Sequence, residues 1–108
     1  MRKGEIYLVD FPNTTGHEQA GARPAIVYSS NISGTVVVVP CTSNEDALRF
    51  PFTLLVEPNK RNGLSLTSVA LVFQIRVIST KRLSKFVGSI DRSVLQTLDA
   101  QMKQFLNL

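Results

Sequence analysis

The run Thr35-Val36-Val37-Val38-Val39-Pro40 constrains this chain more than any other segment. Four valines after a threonine are stiff at χ1 and favour extended backbone. Nothing polar alternates through the run, which marks a strand buried on both faces. Pro40 lacks a ladder donor and is expected to end that strand.

Neighbouring segments read as further short strands. Residues 5–11 (EIYLVDF) have strand composition and stop at Pro12. Residues 12–22 are loop material, with glycines, a proline and small polar residues. Residues 25–29 form a second strand entered at Pro24, and residues 30–34 turn the chain. Residues 50–56 make a fourth strand, where Pro51 suggests an edge or a bulge. Asn62-Gly63 is a tight-turn pair that would close a hairpin. Residues 68–79 are β-prone and bent or divided near Phe73-Gln74, and residues 85–90 are a weaker last strand.

The period changes over residues 92–106. Val94, Leu95, Leu98, Met102, Phe105 and Leu106 recur at helical spacing on one face, a stripe read as core packing. Asp91 is the expected N-cap, its carboxylate accepting from an orphan N–H. These segments predict a mainly β fold with a C-terminal helix (α+β): a small, strongly bent antiparallel sheet or partly closed barrel that the helix plugs or flanks. At 108 residues the chain has room for one core, and residues 1–108 are expected to form a single domain.

Composition excludes several classes. The lone cysteine, Cys41, rules out an internal disulfide and a multi-cysteine zinc site and fits a reducing, cytoplasmic compartment. It reads as a small buried hydrophobe. No apolar run approaches the roughly 18 residues of a bilayer span, and no signal-peptide pattern follows Met1-Arg2-Lys3, so no membrane association is expected. There is no Gly-Lys-Ser/Thr phosphate loop, no GxGxxG, no Cys/His metal set and no Gly-x-Ser-x-Gly elbow, so neither cofactor nor metal is expected.

Twelve Lys and Arg against eight Asp and Glu give +4, unevenly spread. Residues 1–54 hold four basic and five acidic side chains (−1), and residues 55–108 hold eight and three (+5). Such a basic half suits a polyanionic partner such as nucleic acid, and equally a solvated face that keeps the protein soluble.

Three places carry chemistry. In the loop segment GHEQAGARP, His17, Glu18, Gln19 and Arg23 fall within seven positions. Arg23 offers a donor fork for a phosphate or carboxylate, or for an ion pair with Glu18. After the valine strand, Thr42 and Ser43 emerge where the core ends, either as site hydroxyls or as turn residues. Alternation puts Gln74 and Arg76 on one strand face, with Phe73, Ile75 and Val77 on the other. Lys81, Arg82 and Lys85 extend a positive track or form a solvated basic turn.

The residues RKGEIYLVDF and GHEQAGARPAIV resemble the opening of the MazF/PemK toxins. VPCTS (residues 39–43), Gly63-Leu64, Ser68-Val69-Ala70, Gln74-Ile75-Arg76, Arg82-Leu83 and Gly88 follow in that family's order, so the resemblance covers nearly the whole chain. It implies a compact, SH3-like barrel and a sequence-specific, metal-independent endoribonuclease. It further implies a homodimer that binds single-stranded RNA and is neutralised by an acidic antitoxin. The same fold class includes non-catalytic toxins that inhibit DNA gyrase, which stands as the alternative, with a non-toxic SH3-like interaction module behind it.

By this resemblance Arg23 and Thr42 stand at the scissile phosphate, with Glu18 as supporting carboxylate. His17, Gln19, Ser43, Gln74, Arg76, Lys81 and Arg82 would contact RNA or brace its groove. One position departs from the family's pattern: Phe73 stands where an acidic residue usually precedes the glutamine, which implies a different cleavage preference or altered activity.

Overall fold

The computed structural model describes residues 1–11, 21–30 and 32–108. Among them the chain forms seven strands and a C-terminal helix. The strands are β1 (Glu5–Phe11), β2 (Gly21–Ser29), β3 (Thr35–Thr42), β4 (Thr53–Val56), β5 (Ser68–Leu71), β6 (Arg76–Ser79) and β7 (Leu83–Ser89), and the helix α1 spans Arg92–Leu106. All pairings are antiparallel, in the order β4-β5-β3-β2-β1-β7, with β6 also on β3. The expected mainly β architecture with a closing helix is what forms. The sheet is not a closed barrel: among the described residues β4 and β7 are its two ends and do not pair.

The valine strand sits at the centre. One edge of β3 pairs with β2, while its other edge pairs first with β6 (Thr35 to Val38) and then with β5 (Cys41 and Thr42). Its two faces feed two separate cores. Val39 and Cys41 join Ile6, Ile26, Ala70, Leu98 and Met102 beneath α1. Val36 and Val38 join Val9, Phe11, Ala25, Val27 and Ile78 on the opposite face. Burial on both faces explains why no polar residue interrupts the run.

Pro40 does not end the strand. It lies inside β3 opposite Ala25, where the other edge of β3 changes partner from β6 to β5. A missing N–H costs a ladder least at such a break. Likewise β2 begins at Gly21 and carries Pro24 within it, opposite Leu8.

The fourth strand is shorter than its composition suggests. Residues 45–49 form a 3₁₀ turn, Phe52 takes a left-handed φ of 59°, and only Thr53–Val56 pair, at the sheet edge. Asn62-Gly63 closes no two-residue hairpin. It lies in the long connection between the paired strands β4 and β5, where Asn62 is 1% exposed. Its Oδ1 accepts from the N–H groups of Asn59 and Leu64, and its Nδ2 donates to the Glu57 carbonyl. The bend near residue 73 is present as a 3₁₀ turn over Val72–Gln74, which carries the chain from β5 to β6.

The helix has the predicted bounds. Leu98 and Met102 are buried, and Val94, Leu95 and Phe105 pack on the same core, whereas Leu106 is 47% exposed because it falls in the last turn. Each fully buried side chain of this size contributes about 1.5–3 kcal/mol. Asp91 occupies the N-cap position without capping through its side chain. Its carboxylate turns instead to Asn59 Nδ2 at 3.1 Å and Arg61 Nε at 3.9 Å, tying the helix start to the loop after β4. Among the described residues no helix is long and apolar enough to cross a membrane.

Candidate active site

The β2–β3 register brings two of the sequence-named residues together. Ala25 faces Pro40, Ile26 faces Val39 and Val27 faces Val38. The β2–β3 pairing ends at Ala25 and Pro40, and Arg23 and Thr42 each lie two residues beyond that end. Arg23 is opposite Val9 of β1, and Thr42 opposite Val69 of β5. Strand alternation places Arg23 with Ala25 and Val27, and Thr42 with Val36 and Val38, on the same face. Residues 19 positions apart in sequence thereby come to the same end of the β2–β3 pair.

Their local settings differ. Thr42 is buried, and its Oγ1 accepts from the Asn44 N–H at 3.2 Å, which fixes the hydroxyl at the strand end. Arg23 is half-buried, and among the described residues no carboxylate forms an ion pair with it. Ser43, the next residue after Thr42, is exposed and lines a cleft of about 250 Å³ together with Arg23, Pro24, Leu64 and Ser68. Thr42 lines a larger cleft of about 620 Å³ with Gln74. Consecutive residues at the β3 terminus thus line two separate clefts.

Gln74 and Arg76 do not sit on one regular strand face. The 3₁₀ turn interrupts the alternation, so that Phe73 and Gln74 line the same cleft. Arg76 opens β6, and its guanidinium lies 4.4 Å from the centroid of the Phe11 ring, a cation–π contact on the face shared by Arg23 and Thr42. Lys81 and Arg82 lie in the turn between β6 and β7. Lys81 is exposed, while Arg82 Nη1 donates to the Asp10 carbonyl at 3.3 Å. Lys85 is exposed on β7 opposite Leu8. His17, Glu18 and Gln19 lie outside the described residues.

Cys41 is buried in the core beneath α1, and burial pushes its thiol up to about 12. A thiol so far above neutral pH is no nucleophile, in keeping with its reading as a small hydrophobe.

Sequence reasoning missed the wall of the larger cleft. Asn44, Asp46, Arg49 and Phe50 line it beside Thr42, Gln74 and Phe73. A signal was present: Asn44 ahead of Glu45-Asp46 is a helix-start pattern, and Asn44 Oδ1 does accept from the Asp46 N–H at 3.0 Å. Arg49 and Phe50 were unreadable as site residues, because the turn that brings them to Thr42 competes with their strand-like composition.

In chemical terms the arrangement offers a guanidinium and a fixed hydroxyl on one sheet face, with a basic residue, Arg76, further along it. Such a set suits a phosphate ester whose oxygens gain charge during reaction.

Comparison with known proteins places this geometry. A family model described as PemK-like, MazF-like toxin of type II toxin-antitoxin system matches residues 2–106. Endoribonuclease MazF9 of Mycobacterium tuberculosis is 36% identical over 117 aligned positions, covering 100% of this chain and 98% of that protein. Among solved structures, MazF from Deinococcus radiodurans superposes with a TM-score of 0.80 at 24% identity, over 98% of this chain and 96% of that one. An endoribonuclease in complex with its cognate antitoxin from Mycobacterial species gives a TM-score of 0.76 at 19% identity, over 98% and 94%. The chain belongs to the PemK-like, MazF-like toxin family of type II toxin–antitoxin systems.

Proposed function

We propose that this chain is a sequence-specific, metal-independent endoribonuclease that cleaves single-stranded mRNA and is held in check by a cognate antitoxin. The observation that carries this reading is that Arg23 and Thr42 both lie just past the Ala25–Pro40 end of the β2–β3 pair, where strand alternation turns them to one sheet face. The 36% identity to a protein named as an endoribonuclease supports the same chemistry.

The reaction is attack by an RNA 2′-oxygen on the adjacent phosphorus. The new O2′–P bond forms as the P–O5′ bond breaks, leaving a 2′,3′-cyclic phosphate and a 5′-hydroxyl. A proton leaves the 2′-hydroxyl for a general base, and one is delivered to the departing O5′. Arg23 stabilises the charge on the non-bridging oxygens, and Thr42 positions the phosphate or the 2′-hydroxyl. Glu18 is assigned as the supporting carboxylate on its place in the loop motif. His17, Gln19, Ser43, Gln74, Arg76, Lys81 and Arg82 are assigned to RNA contact.

Residues 1–108 act as one toxin domain, paired as a homodimer in the cytoplasm. The +5 balance of residues 55–108 supports both partners, RNA and an acidic antitoxin segment. The relative solved with its cognate antitoxin supports the second.

The test is incubation of the purified protein with a random single-stranded RNA pool in EDTA, followed by mapping of the ends. Cyclic phosphate and 5′-hydroxyl ends at a recurring sequence are expected, and a substrate with a 2′-deoxy sugar at the cleavage position resists. Intact RNA at high protein excess, or cutting of the deoxy substrate, overturns the reading. Inhibition of gyrase with RNA left intact would replace it by the non-catalytic alternative.

A further inference from the structure

The larger cleft is built more elaborately than holding a phosphate at Thr42 requires. Its wall is aromatic. The rings of Phe50 and Phe73 meet with centroids 5.8 Å apart at an interplanar angle of 53°. The Arg49 guanidinium lies 4.8 Å from the Phe50 centroid. Phe50 is 43% exposed, so its ring is open to a ligand entering the cleft.

The backbone that carries each ring is fixed by a hydrogen bond. Phe50 N–H closes the 3₁₀ turn on the Ala47 carbonyl at 3.0 Å, and Phe73 N–H donates to the Phe52 carbonyl at 3.3 Å. Around them stand amide and carboxylate groups from Asn44, Asp46 and Gln74, with Thr42 at one side. At about 620 Å³ the cleft falls within the roughly 300–1,000 Å³ range of small-molecule sites.

Charges of both signs, from Asp46 and Arg49, make this a poor seat for a phosphate. A flat, neutral ring with donors and acceptors on its edge suits it better: aromatic faces stack, and amide or carboxylate groups bond the edge. That description fits an unpaired nucleobase, since single-stranded RNA is recognised by stacking splayed bases on aromatic side chains and bonding their edges.

We propose that this cleft seats one base of the RNA, stacked on Phe73 with its edge toward Asn44, Asp46 and Gln74, immediately beside the phosphate held at Thr42. Phe73 is then a specificity-determining residue that sets the base preference beside the cut. The inference rests on the ribonuclease reading above.

The test uses the full chain and single-stranded oligonucleotides that carry 2-aminopurine at each position in turn, with a 2′-deoxy sugar at the mapped cleavage position. One position is expected to change its fluorescence strongly on binding. Phe73→Leu, which keeps an apolar side chain for folding, removes that change and weakens binding about tenfold to a hundredfold. Phe73→Trp retains it. In cleavage assays of Phe73→Leu the loss falls on KM rather than kcat, and the base preference beside the cut relaxes.

A fluorescence change that is the same in Phe73→Leu as in the wild type, at unchanged melting temperature, overturns the stack. So does an unchanged cleavage preference. A wild type that cuts no RNA overturns the ribonuclease reading instead, and the 2-aminopurine series on all-ribose oligomers still decides the stack by itself.

Discussion

The Tyr28 hydroxyl donates to Asp99 Oδ1 at 2.6 Å, joining β2 to α1 across 71 positions of chain. Lys3 Nζ reaches the same oxygen at 3.0 Å, and its ammonium lies 4.6 Å from the centroid of the Tyr28 ring. Burial, and then the bond and charge of Asp99, push the tyrosine up to about 12. Partial burial works to raise the Asp99 carboxyl, but the Tyr28 hydroxyl and the Lys3 ammonium outweigh it and hold the group below its ordinary value.

This triad predicts a pH-dependent stability. A carboxylate with a depressed folded pKa contributes stability that is present above its unfolded value of about 4 and lost as pH falls through the folded one. Asp99→Asn is therefore expected to melt below the wild type at pH 7, with the gap closing in acid below about pH 4. At the alkaline end, the contribution of Tyr28 is present below about pH 10 and is lost as pH rises toward 12. Melting curves from pH 2 to pH 8 check the acid limb, and a gap that persists unchanged at pH 2 contradicts it.

Loss of either central side chain should abolish chemistry while sparing the fold. Arg23→Ala and Thr42→Ala are expected to lower cleavage about 100- to 1,000-fold, the usual effect of removing one group that stabilises a charged transition state. Thr42→Ala also gives up the bond from Asn44 N–H, about 1 kcal/mol. Cleavage rates alongside melting temperatures separate the two effects, and full activity in either variant removes its assigned role.

Two glycines at the 62–63 and 88 crossing tolerate no side chain. A Cβ on Gly63, which has φ +66°, would lie 2.1 Å from the Val87 carbonyl oxygen, and one on Gly88 would lie 2.5 Å from the Arg61 and Asn62 carbonyl oxygens. Gly63→Ala and Gly88→Ala are expected to cost about 3 kcal/mol or more, because backbone must move. Gly34→Ala meets nothing within 4 Å at φ +82° and should cost only about 1–2 kcal/mol for its left-handed backbone. Denaturant midpoints give all three.

Asn62→Ala should rank with the severe variants. It strips two loop N–H groups and the Glu57 carbonyl of their partner in a site 1% exposed. A loss of about 2–4 kcal/mol is expected, measured by the same denaturant titrations, with Asn62→Asp intermediate.

RNA affinity should fall with salt. Lys81 is exposed on the β6–β7 turn, so Lys81→Ala should weaken binding across sequences. It should also flatten the slope of log affinity against log salt concentration by about 0.7 for a single strand. An unchanged slope would remove Lys81 from the RNA track.

Much of the architecture is legible in local pattern. The helix runs over the residues its stripe marked, because a 3.6-residue period depends on neighbours three and four positions away. The bend near residue 73 was readable because a β-prone stretch of that length in a small sheet has to turn. Other features needed partners far away in sequence. Pro40 stays in β3 because two different strands share one edge, and Asp91 leaves its cap for Asn59 and Arg61. Asn62-Gly63 became a buried loop anchor because Gly88 and Val87 pass against it.

The site divides the same way. Residue type alone marked Arg23, Thr42, Gln74 and Arg76, since a guanidinium, a hydroxyl and an amide at the ends of apolar strands need partners. That Arg23 and Thr42 come to the same end and face of the sheet follows from β2–β3 register, a relation between strands that a one-residue slip would reverse. The contact of Phe50 with Phe73 was invisible in sequence, because two rings 23 positions apart meet only after two 3₁₀ turns aim them at each other. By itself, then, the sequence determined the elements, the doubly buried valine strand and the chemical types on offer, all set by local periodicity and side-chain chemistry. Tertiary structure decided which of those groups share a face and a cleft, because register and turn geometry are set by long-range pairing and packing.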